Sequence, residues 1–203
     1  MPPVPGLIQF ILASESQRRV DLLNGVGYRF QTVRSGFDEV SYPDPKYTVE
    51  ENAHGKATTT ADVYPSDIVV GADTVVYLPS EDGTGEGEIF GQAGDDEEAR
   101  RMLTALQGRS HEVHTGVAVV RSDKVAVRHS MTRVTMRSLS ESDIEAYVSF
   151  REGIGKAGGY AIQGTAAIFV ERIEGDYTTV VGLPLSLTAR MLEHAGVGWY
   201  ETG

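Results

Sequence analysis

Apolar runs and helical patterns alternate along this chain. Residues 7–14 are almost continuously apolar behind Gly6, the pattern of a buried strand. A helix beginning near Ser16 follows, with Val20, Leu22, Leu23 and Val26 spaced to pack inward. Residues 28–35 read as a second strand, and 36–47, with Pro43 and Pro45, as a loop. Thr48 and Glu51 stand at capping-box spacing and predict a helix from Thr48 to about Asp62. Ile68–Leu78 is a strand pattern interrupted by Gly71-Ala72-Asp73-Thr74, and the acidic, glycine-rich 79–87 reads as an exposed hairpin loop. Ala99, Met102, Leu103 and Leu106 form an apolar stripe ending at Gly108, the signature of a capped amphipathic helix. Residues 112–121 and 125–138 then pair as a long hairpin through Ser122-Asp123-Lys124. A short helix over 141–150, a loop with four glycines over 153–159, a strand over 167–173, a turn at Gly175-Asp176 and a last helix over 184–195 complete the chain. Trp199 reads as a packing residue. The order predicts an α/β fold: a mixed, twisted sheet flanked by helices. The 203 residues should form a single domain, two lobes sharing one sheet around a cleft.

Composition narrows the chemistry. Eighteen Lys and Arg against 29 Asp and Glu leave a net charge of -11, which opposes wrapping of a nucleic-acid backbone. A small anion would need a local basic pocket or a bridging metal ion. The absence of cysteine excludes a disulfide framework, a thiol nucleophile and a zinc-thiolate site. No apolar stretch approaches the roughly 20 residues of a membrane span, and residues 1–13 lack a basic n-region and a cleavage site. A soluble, cytoplasmic protein is expected.

Four segments carry candidate chemistry, and each also has an ordinary structural reading. Ser14-Glu15-Ser16-Gln17-Arg18-Arg19 sets two hydroxyls and two guanidinium groups at a helix start, where free N–H groups and the helix dipole favour an anion. A plain serine cap followed by solvated arginines describes it too. Asp73 lies among Val69, Val70, Val75 and Val76; a carboxylate so placed requires a cation, a metal or a proton-transfer role, unless it merely caps a turn. Glu39 has the chemistry of a ligand for a hard cation, and Lys56 that of a phosphate contact; both also read as surface charges. Gly155-Lys156-Ala157-Gly158-Gly159-Tyr160-Ala161-Ile162-Gln163-Gly164 combines close backbone approach with Lys156 and an amide, Gln163, suited to a base edge. It lacks the Gly-Lys-Ser/Thr ending of a Walker loop and also reads as a mobile loop.

Taken in order, these motifs resemble the Maf family of nucleoside triphosphate pyrophosphatases. The likeness runs from about Leu7 to Gly196 and includes Leu106-x-Gly108-Arg109-x-His111-x-Val113-x-Thr115-Gly116 and Val180-Val181-Gly182-Leu183-Pro184-Leu185. It implies an elongated fold with a deep cleft related to the inosine triphosphatase architecture. It also implies cleavage between the α- and β-phosphates with Mg²⁺ or Mn²⁺, a cytoplasmic setting and often a homodimer. By that resemblance Asp73 is the proton acceptor, and Arg18, Thr74 and Gln163 match the branch that acts on dTTP and UTP. Together with the residue chemistry this predicts a triphosphate gathered by Ser14, Ser16, Arg18 and Lys56, a cation held by Glu39 and Asp73, and charge stabilised by Arg19 and Lys156. Three positions depart from the family pattern: Gln17 replaces Pro, Gln92-Ala93 replaces Lys-Pro, and Gly155 replaces Asp. The alternatives are a catalytically weakened nucleotide-binding regulator linked to cell division, and a hydrolase of 7-methyl-GTP or other modified triphosphates.

Overall fold

A computed structural model describes residues 8–80 and 87–200. Seven strands form one mixed sheet: β1 (Phe10–Ala13), β2 (Phe30–Val33), β3 (Ile68–Leu78), β4 (Glu88–Phe90), β5 (Ser110–Arg121), β6 (Lys124–Met136) and β7 (Val170–Glu174). The spatial order is β2-β1-β3-β5-β6-β7, with β4 on the far end of β3. β1 runs parallel to β2 and β3, and the remaining pairs are antiparallel. The helices are α1 (Gln17–Gly25), α2 (Pro45–Val63), α3 (Asp96–Leu106), α4 (Glu141–Ser149), α5 (Tyr177–Val181) and α6 (Leu185–His194). Among the described residues no helix is long and apolar enough to cross a membrane.

Several expected boundaries move, each for a local reason. α2 begins at Pro45 rather than Thr48, because the Asp44 side chain accepts from the amides of Lys46 and Tyr47 while Pro45 supplies a preset φ. Thr48 instead bonds the backbone of Tyr42. Strand β3 is not interrupted at Gly71–Thr74: β5 pairs with it residue by residue from Ile68 to Tyr77. On α1 the inward face carries Leu23 and Arg19, one turn apart, whereas Val26 lies past the helix end and is exposed. Thr165–Phe169 forms a 3-10 turn and the strand follows it, so the predicted strand over 167–173 starts late. β4 and α5 are short elements without a legible period; Asp176 caps α5 through the amide of Thr178. Trp199 is exposed rather than packed. Most of the predicted loop at 79–87 lies outside the described residues.

Two apolar regions flank the middle of the sheet. One gathers α3, α4 and the far ends of β3, β5 and β6 around Leu103, Leu106, Met136 and Phe169. The other packs α1 and α6 on one sheet face around Phe10, Leu12, Leu23 and Leu192. α2 covers the opposite face through Ala53 and Ala57. That helix lies unusually close. A Cβ on Gly71 would stand 2.4 Å from the Ala53 carbonyl, and one on Gly116 would stand 2.2 Å from the Val49 carbonyl. Glycine on two adjacent strands therefore sets the depth to which α2 sinks. Beside it, the strands themselves leave a gap. Ala13 stands opposite Gly71 and Phe90 opposite Val76, so no described strand pairs with residues 72–75 on that edge.

Candidate active site

The gap opens into a cleft of about 720 Å³. Its walls include residues 13–19 at the turn from β1 into α1, residues 34–39 after β2, and Gln92 with Gly155, Lys156 and Ala157 opposite. Thr74 and Lys56 reach it from β3 and α2.

Asp73 is 5% exposed, and burial of an unpaired carboxylate would be strongly unfavourable. It is fully engaged. Lys56 Nζ donates to Asp73 Oδ1 at 2.7 Å, and Asn52 Nδ2 donates to Oδ2 at 2.9 Å. The same Lys56 ammonium meets Glu39 Oε1 at 2.5 Å. Two carboxylates, one from the sheet and one from a loop, thus converge on a single positive charge. A carboxylate oxygen has further lone pairs, so both groups retain acceptor capacity beyond these bonds. Among the described residues no group of three or more His, Asp or Glu side chains is placed to hold a metal ion by itself. The donor set is two carboxylates already sharing one cation, which suits Mg²⁺, an ion that takes one or two carboxylates and completes its shell with water and phosphate oxygens.

Cations line the cleft from both sides. Arg19 is nearly enclosed: its Nε donates to the Gly182 carbonyl at 2.8 Å, one terminal nitrogen to Ser14 Oγ at 3.1 Å, and the other to Thr74 Oγ1 at 3.1 Å. Burial lowers its pKa, an effect opposed by the nearby charges of Asp73 and Glu39. Thr74 Oγ1 also shares a bond with Thr115 Oγ1, and Thr115 donates to the Thr179 carbonyl. These two threonines and Arg19 therefore tie α1, β3, β5 and α5 together. Arg18 and Lys156 face each other differently. Neither has an ion-pair partner among the described residues. The Arg18 pKa falls to about 10 through burial and the neighbouring Arg19 charge, with Tyr147 opposing. That of Lys156 falls through burial and Arg18, with Glu152 opposing. Two cations that repel each other across a partly dry wall form a receptor for an anion. Ser16 caps α1 without a side-chain cap bond, leaving its hydroxyl uncommitted at the helix start.

Nine of the ten candidate residues thus come together: Ser14, Ser16, Arg18, Arg19, Glu39, Lys56 and Thr74 with Lys156 line the cleft, and Asp73 lies beneath it, bonded to Lys56. Gln163 does not; it is exposed and lies outside the cleft lining. Asn52 was not anticipated, and Thr115 and Gly182 stood in the family motifs without an assigned role. The trace of Asn52 is its spacing of four from Lys56, which puts both on one helix face. The two departures at the cleft, Gln92 and Gly155, both line it, and Gln92 bridges to Ala157 in a short antiparallel contact.

The Ham1 protein of Staphylococcus aureus overlaps 71% of this chain and 98% of its own, with a TM-score of 0.46 and 16% identity. A dTTP/UTP pyrophosphatase of Pelotomaculum thermopropionicum is 45% identical over 192 residues, 93% of this chain and 97% of that one. A dTTP/UTP pyrophosphatase of Bacillus cereus is 41% identical over 191 residues, 93% of this chain and 96% of that one. The profile described as Maf-like protein matches residues 9–195, which contain every side chain of the cleft. By both measures this chain belongs to the Maf family.

Proposed function

We propose that this chain is a nucleoside triphosphate pyrophosphatase, hydrolysing dTTP and UTP to the monophosphate and pyrophosphate. The observation that carries the reading is the buried Asp73, bonded to Lys56 and Asn52 beneath a cleft that Arg18 and Lys156 line without an ion-pair partner among the described residues. Relatives at 41% and 45% identity bear the same activity in their names.

In this reading the triphosphate lies along the start of α1. Ser14, Ser16 and Arg18 meet it from one side and Lys156 from the other, offsetting its charge. A water attacks the α-phosphorus; its oxygen forms the new bond, the bond to the bridging oxygen breaks, and pyrophosphate leaves. Asp73 accepts the proton of that water. Lys56 keeps the two carboxylates from repelling each other and positions them. Arg19, with three of its donors committed, orders Ser14 and Thr74 rather than moving with substrate. Glu39 and Asp73 would hold Mg²⁺ or Mn²⁺, which would supply positive charge to offset that of the phosphates. Gln163 enters no step.

The test is pyrophosphate release across a panel of nucleoside triphosphates with Mg²⁺ or Mn²⁺ and an EDTA control. Release from dTTP and UTP that EDTA stops is the expected result. Release from other triphosphates only would overturn the substrate assignment. No release from any, with tight nucleotide binding by calorimetry, would replace catalysis with a binding role.

A further inference from the structure

Glu39 sits in a segment without regular secondary structure, yet it must stand at a fixed distance from Asp73. Four pairs explain how. Phe37 packs its ring where a Cβ on Gly55 would stand, 2.2 Å from that position. Glu39 pairs with Lys56. Val40 is gripped at both backbone groups by Asn52, whose Oδ1 accepts from Val40 N at 2.8 Å and whose Nδ2 donates to Val40 O at 2.9 Å. Tyr42 is gripped the same way by Thr48 Oγ1, at 2.9 and 3.1 Å. Thr48, Asn52 and Lys56 are spaced by four, so one buried face of α2 fastens the segment from 37 to 42, running the opposite way.

Asn52 differs from the other fasteners in one respect. Its amide has two N–H donors; one goes to Val40 and the other to Asp73 Oδ2. The Val40 N–H fixes which end of the amide is oxygen, so the second donor is aimed at Asp73 without freedom to flip. A carboxylate in its place would keep the Val40 N–H bond but lose both donors. A hydroxyl could not reach three partners. The geometry points to Asn52 as a positioning residue that ties the Glu39 segment on α2 to Asp73 on the sheet. It adds no charge to the Glu39–Lys56–Asp73 group while doing so. This rests on Asp73 and Glu39 acting as proposed above, but its structural half stands independently.

The test compares Asn52→Ala with Thr48→Val, which loosens the same segment without touching Asp73. Two readouts are needed: kcat and KM for pyrophosphate release from dTTP, and residue-resolved amide exchange by NMR. Thermal melts confirm that both variants fold. For Asn52→Ala, kcat should fall by about 10- to 100-fold, as expected of a misplaced catalytic group, with KM changed far less. Val40 exchange should accelerate by about 10-fold or more. For Thr48→Val, Tyr42 exchange should accelerate while kcat stays within about threefold of the parent. Asn52→Gln, which keeps the amide, should recover part of kcat. Equal kcat losses in the two variants, or an unchanged Val40 amide in Asn52→Ala, would overturn the assignment. If the parent protein releases no pyrophosphate from any triphosphate, the activity reading fails by itself. The Val40 exchange comparison then decides the fastening role alone, and equal protection in parent and Asn52→Ala rejects it.

Discussion

Replacing Gly71 by alanine should damage the site from behind, through the helix that carries Lys56 and Asn52. The added Cβ would stand 2.4 Å from the Ala53 carbonyl oxygen and 2.7 Å from the Ala57 nitrogen, both backbone atoms of α2. Ordinary contact begins at 3.4 Å, and no side chain can swing aside to provide it. The helix must therefore lift by roughly 1 Å, or the strand must buckle by as much. Such overpacking costs about 1–3 kcal/mol. Lys56 is now anchored to a displaced helix, while Asp73 stays with the sheet across a 2.7 Å contact. A displacement of that size in a catalytic array lowers turnover by about 100-fold. The control is Gly91→Ala, where a Cβ would meet nothing within 4 Å and the backbone does not need a positive φ. It should stay within about 0.5 kcal/mol of the parent. Urea unfolding measures the first quantity and steady-state pyrophosphate release the second. Should Gly71→Ala match Gly91→Ala in both, the close helix–sheet contact does not govern the site and the argument is wrong.

Three further outcomes follow from single groups. Asp73→Asn should lower kcat by about 100- to 10,000-fold, the usual worth of a general base, with the circular dichroism spectrum retained. Arg19→Lys keeps a charge but cannot reach Gly182, Ser14 and Thr74 together, and should cost about 1–3 kcal/mol in urea unfolding. His111 is buried against Tyr160, and burial pushes its pKa down to about 4. The unfolded chain, with a histidine near 6.5, then binds the proton that the folded chain refuses. Stability should be flat above about pH 6.5 and fall by about 3 kcal/mol on the way down to about pH 4. His129, also held near 4 by burial and by His114, adds loss of the same sign. Unfolding curves of the parent and His111→Gln across that range test this: the variant should lose the His111 share of the slope.

Much of the architecture was readable because it rests on periodicity. The apolar stripe of α3 reflects one face turned to a core, and two long β stretches around a polar turn mark the β5–β6 hairpin. The failures lie where tertiary contacts override local signals. Gly71 in the middle of a valine-rich strand looks like a break, yet it is a packing notch for α2. Thr48 looks like a helix cap, yet its hydroxyl is spent on Tyr42. Of the site, the charged residues could be named from their types, since buried or clustered charge demands a reason. The bonds made by Asn52, Thr115 and the Gly182 carbonyl become visible only when distant segments meet. Gln163 stands exposed on a turn outside the cleft lining, a placement that residue type alone does not reveal.

The way α2 holds the Glu39 segment divides the active site into two frames of reference. Glu39, Lys56 and Asn52 travel with the helix; Asp73 and Thr74 travel with the sheet. A sliding motion between these layers would not carry the site along as a block but would shear one carboxylate away from the other. The quantity under constraint is thus the alignment of one helix against two strands. Substitutions at Gly116 beneath Val49, outside the cleft lining and on another strand, belong to the same mechanical problem as substitutions at the carboxylates themselves.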